Sequence, residues 1–257
     1  MFEAQGAEPE IVACALSSEV FEKLSSGAVD AAVVPIENSL AGPVAEHYDL
    51  LLQHPVIIRR ELLLRIRHNL IAPQGTRVED LSEVYSHPVA LAQCRKFFAT
   101  HPWLKSVPYY DTAGAVRFAA AQANGRMAGI ASAQAAIQYG GEVLAAGIED
   151  SEENYTRFHL LLREGDTDTP PQPESNKMSL AFAVAHRPGT LVKALELLAR
   201  CGVDLTKIDS RPVPGRPWEY VFFVDIRFAS QQMADAALLA LREPCLMVKD
   251  LGRYRGA

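Results

Sequence analysis

The chain has 257 residues, 49% of them apolar and 22% charged, with a formal net charge of −6. That length and balance suit one large or two modest domains with real cores and give no support to a nucleic-acid partner. No apolar run reaches the length of a membrane span, and no basic stretch precedes an apolar core at the N-terminus, so the expectation is a cytoplasmic protein with no signal peptide and no membrane partner.

Residues 1–10 are polar. Residues 10–14 read as a short strand and 17–24 as a helix with Val20, Phe21 and Leu24 on one face. Gly27 stops that helix. Residues 31–34 read as a buried strand. Pro35-Ile36-Glu37-Asn38-Ser39 follows at once, and Gly42-Pro43 opens a helix over 44–52. Strand, polar turn and helix N-terminus is a layout that binds anions. Asn38 and Ser39 either serve it or merely cap a turn.

Residues 56–72 give two strands or one long bent one, studded with Arg59, Arg60, Arg65 and Arg67, which mark a solvated face unless one of them lines a cleft. Residues 84–86 form another short strand. Ser86 can cap the next helix, with Pro88 just inside its start and Leu91, Cys94 and Phe98 on one face; His87 sits on the turn. Asp111 or Thr112 caps a helix over 113–122. A strand at 127–131, the cap Ser132, a helix at 133–139, the stop Gly140-Gly141 and a strand at 143–146 follow.

An acidic loop, Gly147 to Glu153, then runs into the apolar strand 158–162. At that junction stand Asn154, Thr156 and Arg157: an amide, a hydroxyl and a guanidinium. A loop meeting a strand edge can converge polar groups on a ligand. The alternation of short strands and helices over 11–163 predicts an α/β domain with a largely parallel sheet. Residues 164–177, with Gly165, Pro170, Pro171 and Pro173, have linker composition. Beyond them the order is strand 179–185, helix 188–201, strands 205–211 and 220–227, helix 231–242 and strand 246–251. That is the ferredoxin-like βαββαβ pattern. Cys14, Cys94, Cys201 and Cys245 are far apart, as reduced thiols would be. The seven histidines show no metal-ligand spacing.

Asn154-Tyr155-Thr156-Arg157-Phe158 resembles the N-x-T-R-F signature of prephenate dehydratases. Three further family-like stretches precede it in family order: Pro35 to Ser39, Ser86-His87-Pro88 with Gln93-Cys94, and Asp111-Thr112-Ala113. The half after the linker resembles an ACT domain, through Arg187-Pro188-Gly189-Thr190-Leu191 and through Ile208-Asp209-Ser210-Arg211-Pro212, which is similar to an E-S-R-P motif. Asp209 stands where that family usually has Glu, and Met178 where it has Thr. The family's opening strand and G-x-x-G-[ST]-[FY]-[ST] turn have no counterpart in residues 1–10. The expectation is therefore that the true start lies upstream, or that one strand and part of a site wall are lacking.

The resemblance covers nearly the whole chain. It implies a two-lobed, periplasmic-binding-protein-like catalytic domain over 1–163 with its site between the lobes, the linker 164–177 and an ACT regulatory domain over 178–257. It implies decarboxylating dehydration of prephenate to phenylpyruvate in L-phenylalanine biosynthesis, feedback regulation by L-phenylalanine, no metal or cofactor, and a homodimer or homotetramer. Thr156 is the expected donor to the departing hydroxyl. Arg157, grouped with it as catalytic, grips a carboxylate or holds the loop. Asn38, Ser39, Ser86, His87, Thr112, Asn154 and Phe158 are the expected substrate-binding residues. Gly189, Leu191, Asp209, Ser210, Arg211 and Pro212 are the expected effector-binding ones. Arogenate dehydration is the close alternative, and a catalytically impaired amino-acid sensor the more distant one.

Overall fold

The computed structural model describes residues 9–122, 125–165, 174–213, 215–216 and 218–257. Its elements in chain order are α1 (Ser17–Ser26), β1 (Ala32–Asn38), β2 (Gly42–Pro43), α2 (Ala45–Gln53), β3 (Val56–Arg65), β4 (Asn69–Pro73), β5 (Glu83–Ser86), α3 (Pro88–Ala92), α4 (Arg95–Thr100), β6 (Lys105–Pro108), α5 (Thr112–Ala121), β7 (Met127–Ala131), α6 (Ala133–Tyr139), β8 (Gly141–Ala146), β9 (Tyr155–Arg163), β10 (Lys177–Ala183), α7 (Thr190–Arg200), β11 (Asp204–Pro212), β12 (Tyr220–Arg227), α8 (Gln231–Arg242) and β13 (Met247–Tyr254). No helix among the described residues is long and apolar enough to cross a membrane. Most of the predicted linker, residues 166–173, lies outside the described residues, as does the polar start at 1–8.

The chain forms two compact units. Unit one comprises Met1–Glu37, Pro43–Leu63 and Arg157–Ala257; unit two comprises Asn38–Gly42 and Leu64–Thr156. Unit one holds the four-stranded sheet β11-β12-β10-β13, whose order in sequence is the βαββαβ expected. Strand periodicity sorts its side chains. Leu180, Phe182, Val224 and Ile226 face α7 and α8, burying Ala194, Leu198, Ala234 and Leu241 in one core. Ala181, Val221, Phe223, Leu251 and Tyr254 point the other way, into a core shared with Phe21, Ile36, Leu51, Ile58 and Leu161. This second core joins the C-terminal sheet to β1, α2, β3 and β9. The approach is close at Gly252 (φ +136°), where a Cβ would lie 2.2 Å from the Ile58 carbonyl oxygen. Only glycine fits there.

Unit two is built on the five-stranded sheet β6-β5-β7-β4-β8. The β5–β6 and β5–β7 pairings are parallel, while β4 runs antiparallel to both β7 and β8. The sheet is thus mixed rather than largely parallel. Alternating strands and helices fix the layers but do not encode the direction in which a strand is inserted. Helix α5 lies directly on β7: a Cβ on Gly129 would meet the Val116 backbone at 2.7 Å.

Local chemistry explains three departures from the predicted elements. Residues 10–14 form no strand, and Ile11 is 88% exposed; an apolar stretch without a partner strand gains nothing by extending. The helix expected to carry Leu91, Cys94 and Phe98 on one face is broken into α3 and α4 at Gln93-Cys94. Asp150 restarts it by accepting from the N–H groups of Arg95 (3.1 Å) and Lys96 (2.8 Å). Ser86 is not the cap of α3. That role falls to His87, whose Nδ1 accepts from the Val89 N–H at 3.2 Å. Asp111 caps α5 by accepting from Gly114.

Candidate functional site

In unit two, Asn38 ends β1 and turns its side-chain oxygen to the N–H groups of Leu40 (3.1 Å) and Ala41 (2.9 Å). Backbone N–H groups only donate, so this turn fixes which way the amide faces. The Asn38 Nδ2 then donates to Asn154 Oδ1 at 2.7 Å and Thr156 Oγ1 at 3.0 Å, with the Tyr155 carbonyl 3.1 Å away. Asn154 is fully buried and donates from Nδ2 to Gln93 Oε1 at 2.9 Å. Gln93 Nε2 returns to Asn38 Oδ1 at 3.3 Å.

Thr156 is held within this network. Its oxygen accepts from Asn38, and no acceptor for its hydroxyl proton stands among the described residues. A half-buried hydroxyl so placed is held from one side and free to donate on the other.

Ser39 serves the backbone instead. Its Oγ donates to the Glu153 carbonyl (2.8 Å) and accepts from the Tyr155 N–H (2.9 Å), clasping the loop that enters β9. Ser86 is fully buried and donates to the Ile130 carbonyl at 2.7 Å. His87 is an exposed helix cap, and Thr112 is half-buried at the start of α5. Thus Asn38, Ser39, Asn154 and Thr156 come together, whereas among the described residues no hydrogen bond joins Ser86, His87 or Thr112 to them. Two residues of the cluster carried no assigned role in the sequence. Gln93 had a signal, its place in a family-like stretch; His68, 2.8 Å from Gln93 Oε1 through Nε2, had none.

Arg157 belongs to unit one, and its guanidinium is enclosed by protein carboxylates. Nη1 donates to Glu61 Oε2 at 3.0 Å and to Asp225 Oδ2 on β12, and Nε forms an ion pair with Glu37 Oε1 at 3.0 Å without hydrogen-bond alignment. Lys177 Nζ adds 2.7 Å to Glu61, Lys207 Nζ binds Glu37, and Ser179 Oγ donates to Asp225 at 2.6 Å. Burial alone would push the Asp225 carboxyl up, but Arg157 and Lys177 outweigh it and hold it below the ordinary carboxylate range. Glu61 is likewise held down by Lys177, the Ala257 N–H and Arg157 against its burial. Arg157, opposed by burial, is raised by Asp225 and Glu37 and stays charged. Half-buried Phe158 follows it in β9.

His159, next on β9, is buried with no hydrogen-bond partner on either ring nitrogen and packs 5.6 Å from the Tyr254 ring. Burial, helped by the Arg157 charge, pushes its pKa down to about 3 from an ordinary 6.5. Between those values the unfolded chain binds a proton that the folded chain refuses, so stability falls as pH drops from about 6.5 toward 3. His159→Leu is expected to lose less stability than the parent between pH 7 and pH 4.5. Urea midpoints at the two pH values check this, and equal acid losses in both proteins would refute it.

Of the effector candidates, Gly189 (φ +83°) is the N-cap of α7, and with Leu191 it lines a concave pocket of about 160 Å³. His186, Arg187, Trp218, Glu219 and Tyr220 line it too. Asp209, Ser210, Arg211 and Pro212 lie on β11 outside that lining. Asp209 accepts from the Ser210 N–H, and Arg211 forks onto Asp49 of α2 at 3.1 and 2.7 Å.

Residues 1–166 match the family model described as prephenate dehydratase. The chain is 40% identical over 260 residues to arogenate dehydratase 2 of Petunia hybrida, covering 95% of this chain and 65% of that protein. It thus spans slightly less than two thirds of that relative. A solved structure of prephenate dehydratase in complex with L-Phe from Arthrobacter aurescens aligns with a TM-score of 0.86 at 30% identity, covering 95% of this chain and 81% of that one. Another, described as GqqA, a novel type of quorum quenching acylase, aligns with a TM-score of 0.84 at 31% identity, covering 95% and 88%.

Proposed function

The chain belongs to the prephenate dehydratase family, and from that premise we propose that it converts prephenate to phenylpyruvate under feedback control by L-phenylalanine. In this reaction the bond from ring carbon to carboxylate breaks and its electron pair enters the ring. The ring hydroxyl leaves with its own pair, takes a proton and departs as water; carbon dioxide is the other product. Aromatisation drives the step, so what the protein must add is orientation and a donor to the leaving oxygen. The observation that carries the reading is Thr156 Oγ1, which accepts from Asn38 Nδ2 and whose own proton meets no acceptor among the described residues. Arg157 is committed to Glu37, Glu61 and Asp225, so we assign it to anchoring the strand that follows Thr156 rather than to gripping substrate.

Arogenate is a second candidate substrate, supported by the 40% identity to an arogenate dehydratase. The chemistry is unchanged, with an amino group in place of the keto group. The acylase likeness has less support: a nucleophilic Thr156 needs a base on its oxygen, and the partner there is an amide N–H, which is itself a donor. Turnover measured with prephenate and arogenate side by side tests the reading. Release of phenylpyruvate or phenylalanine supports it. No product from either substrate overturns it and favours a catalytically silent sensor.

We take residues 1–163 as the catalytic domain, 178–257 as an ACT regulatory domain and 164–177 as their connection. We also take the protein to be cytoplasmic, which its four free cysteines support. The pocket beside Gly189 supports the effector reading. The start of α7 offers N–H groups to an amino acid's carboxylate, Glu219 offers a charge to its ammonium, and Trp218 and Tyr220 offer aromatic surface. Glu219→Ala is expected to weaken phenylalanine inhibition roughly tenfold, the cost of about one charge-assisted hydrogen bond. Inhibition curves that superimpose on the parent's would remove Glu219 from the site. A homodimer or homotetramer fits the exposure of Ile208 and Leu205 on the edge strand β11.

A further inference from the structure

Resting on the reading of Thr156 as donor to the departing hydroxyl, we infer that His68 is a positioning residue for that donor. Its Nε2–H closes the far end of a hydrogen-bond chain whose direction keeps the Thr156 proton free. That direction follows atom by atom. The N–H groups of Leu40 and Ala41 claim Asn38 Oδ1, so Asn38 Nδ2 faces Asn154 Oδ1 and Thr156 Oγ1. Asn154 has only Nδ2 left for Gln93, which accepts at Oε1, and Gln93 Nε2 turns back to Asn38 Oδ1. His68 Nε2 lies 2.8 Å from that same Gln93 oxygen. An oxygen there requires a proton on the ring nitrogen.

The opposite tautomer would set lone pair against lone pair. Turning the Gln93 amide over relieves that, but then brings Nε2 against Asn154 Nδ2 and Oε1 against Asn38 Oδ1. Either clash strains the contacts of Asn154 and Asn38 behind Thr156, although the Leu40 and Ala41 N–H groups still fix which way the Asn38 amide faces. The imidazole is built in for this task. His68 is 4% exposed, its backbone N–H donates to Glu149 Oε2 at 2.9 Å, and its backbone carbonyl accepts from the Ile148 N–H at 2.9 Å. The acidic loop after β8 thereby holds the ring in register with Gln93. A donor and acceptor pair of this kind, with the imidazole buried and Gln93 half-buried, is costly to break from one side.

The test compares two variants of the full chain with the parent. His68→Leu is expected to lower kcat about tenfold or more with KM for prephenate little changed. His68→Gln, which can bring an amide N–H toward the Nε2 position, is expected to recover most of that loss with the parent's pH profile. A parent-like kcat in His68→Leu overturns the inference, and so does a His68→Gln variant as impaired as His68→Leu, the pattern of a true acid or base. Should His68→Leu not fold, Gln93→Glu decides the same point. It still accepts from Asn154 and His68 but turns a lone pair on Asn38 Oδ1, and parent-like kcat there would count against the chain. Ring ¹⁵N shifts of His68 in the parent give a readout independent of turnover. A proton on Nε2 is expected, and a proton on Nδ1 alone would overturn the inference even in a protein that dehydrates neither substrate.

Discussion

On the proposed reading, Thr156→Val is expected to lower turnover of prephenate by on the order of 10²–10³-fold while the fold stays intact. Valine keeps the branched shape at Cβ and the β-strand preference of the site, so the entry into β9 is undisturbed. What it deletes is a single oxygen. In the parent that oxygen accepts from Asn38 Nδ2, and its proton has no acceptor among the described residues. The side chain is therefore preorganised to donate at the moment the ring hydroxyl leaves. Valine also leaves one Asn38 N–H with only the Asn154 and Tyr155 oxygens, which are already within 2.7 and 3.1 Å. The stability cost is thus small beside the loss of rate. Phenylpyruvate release under saturating substrate, with thermal unfolding of the same sample, checks both halves. Turnover within a few-fold of the parent would remove Thr156 from the chemistry, and a collapsed melting transition would show the hydroxyl to be structural. Thr156→Ser, which keeps the donor, should retain far more rate than the valine variant.

The layers of the fold were legible because they rest on period. Phe21 and Leu24 at helical spacing, and the alternation from Ser179 to Ala185, point to buried faces whose Leu180, Ala181 and Phe182 the structure places in its cores. The direction of β4 in the five-stranded sheet left no such trace, since an antiparallel strand and a parallel one can share the same apolar run. The candidate site was legible only where residues sit in short recognisable strings: Asn38 and Ser39, then Asn154 and Thr156. Gln93 and His68 join Asn154 through contacts spanning 61 and 25 residues of chain. Separations of that kind carry no periodic signal. Arg157 shows the same limit differently. Its fork of donors suits a carboxylate, and it finds three, but they belong to Glu37, Glu61 and Asp225 of the protein itself. Residue type stated the chemistry of the contact and not the identity of its partner.

Those three carboxylates make Arg157 the residue whose loss should cost the most stability. Arg157→Met is expected to destabilise unit one by roughly 3–5 kcal/mol, the usual penalty for removing one member of a buried ion cluster. Methionine matches the stem but leaves Asp225, 5% exposed, and Glu61, 7% exposed, with Lys177 as their remaining buried cation. Because Asp225 lies on β12 and Glu37 on β1, the loss loosens the C-terminal sheet from the N-terminal strands at their shared polar centre. The acid side of the stability curve gives an independent check. Asp225 and Glu61 have folded pKa values held below the ordinary carboxylate range. Their contribution is present above the unfolded values and disappears as pH falls through the folded ones. In Arg157→Met the main opposing charge on Asp225 is gone, so its pKa rises and less stability remains to be lost on acidification. Urea unfolding at pH 7 and at a pH below the ordinary carboxylate range should show a variant far weaker than the parent at pH 7 and closer to it in acid. A loss below about 1 kcal/mol at pH 7 would mean that the cluster is solvated enough to be treated as a surface pair. The contrast with Thr156→Val is then direct: adjacent residues of one signature, one moving rate with little change in stability, the other moving stability first.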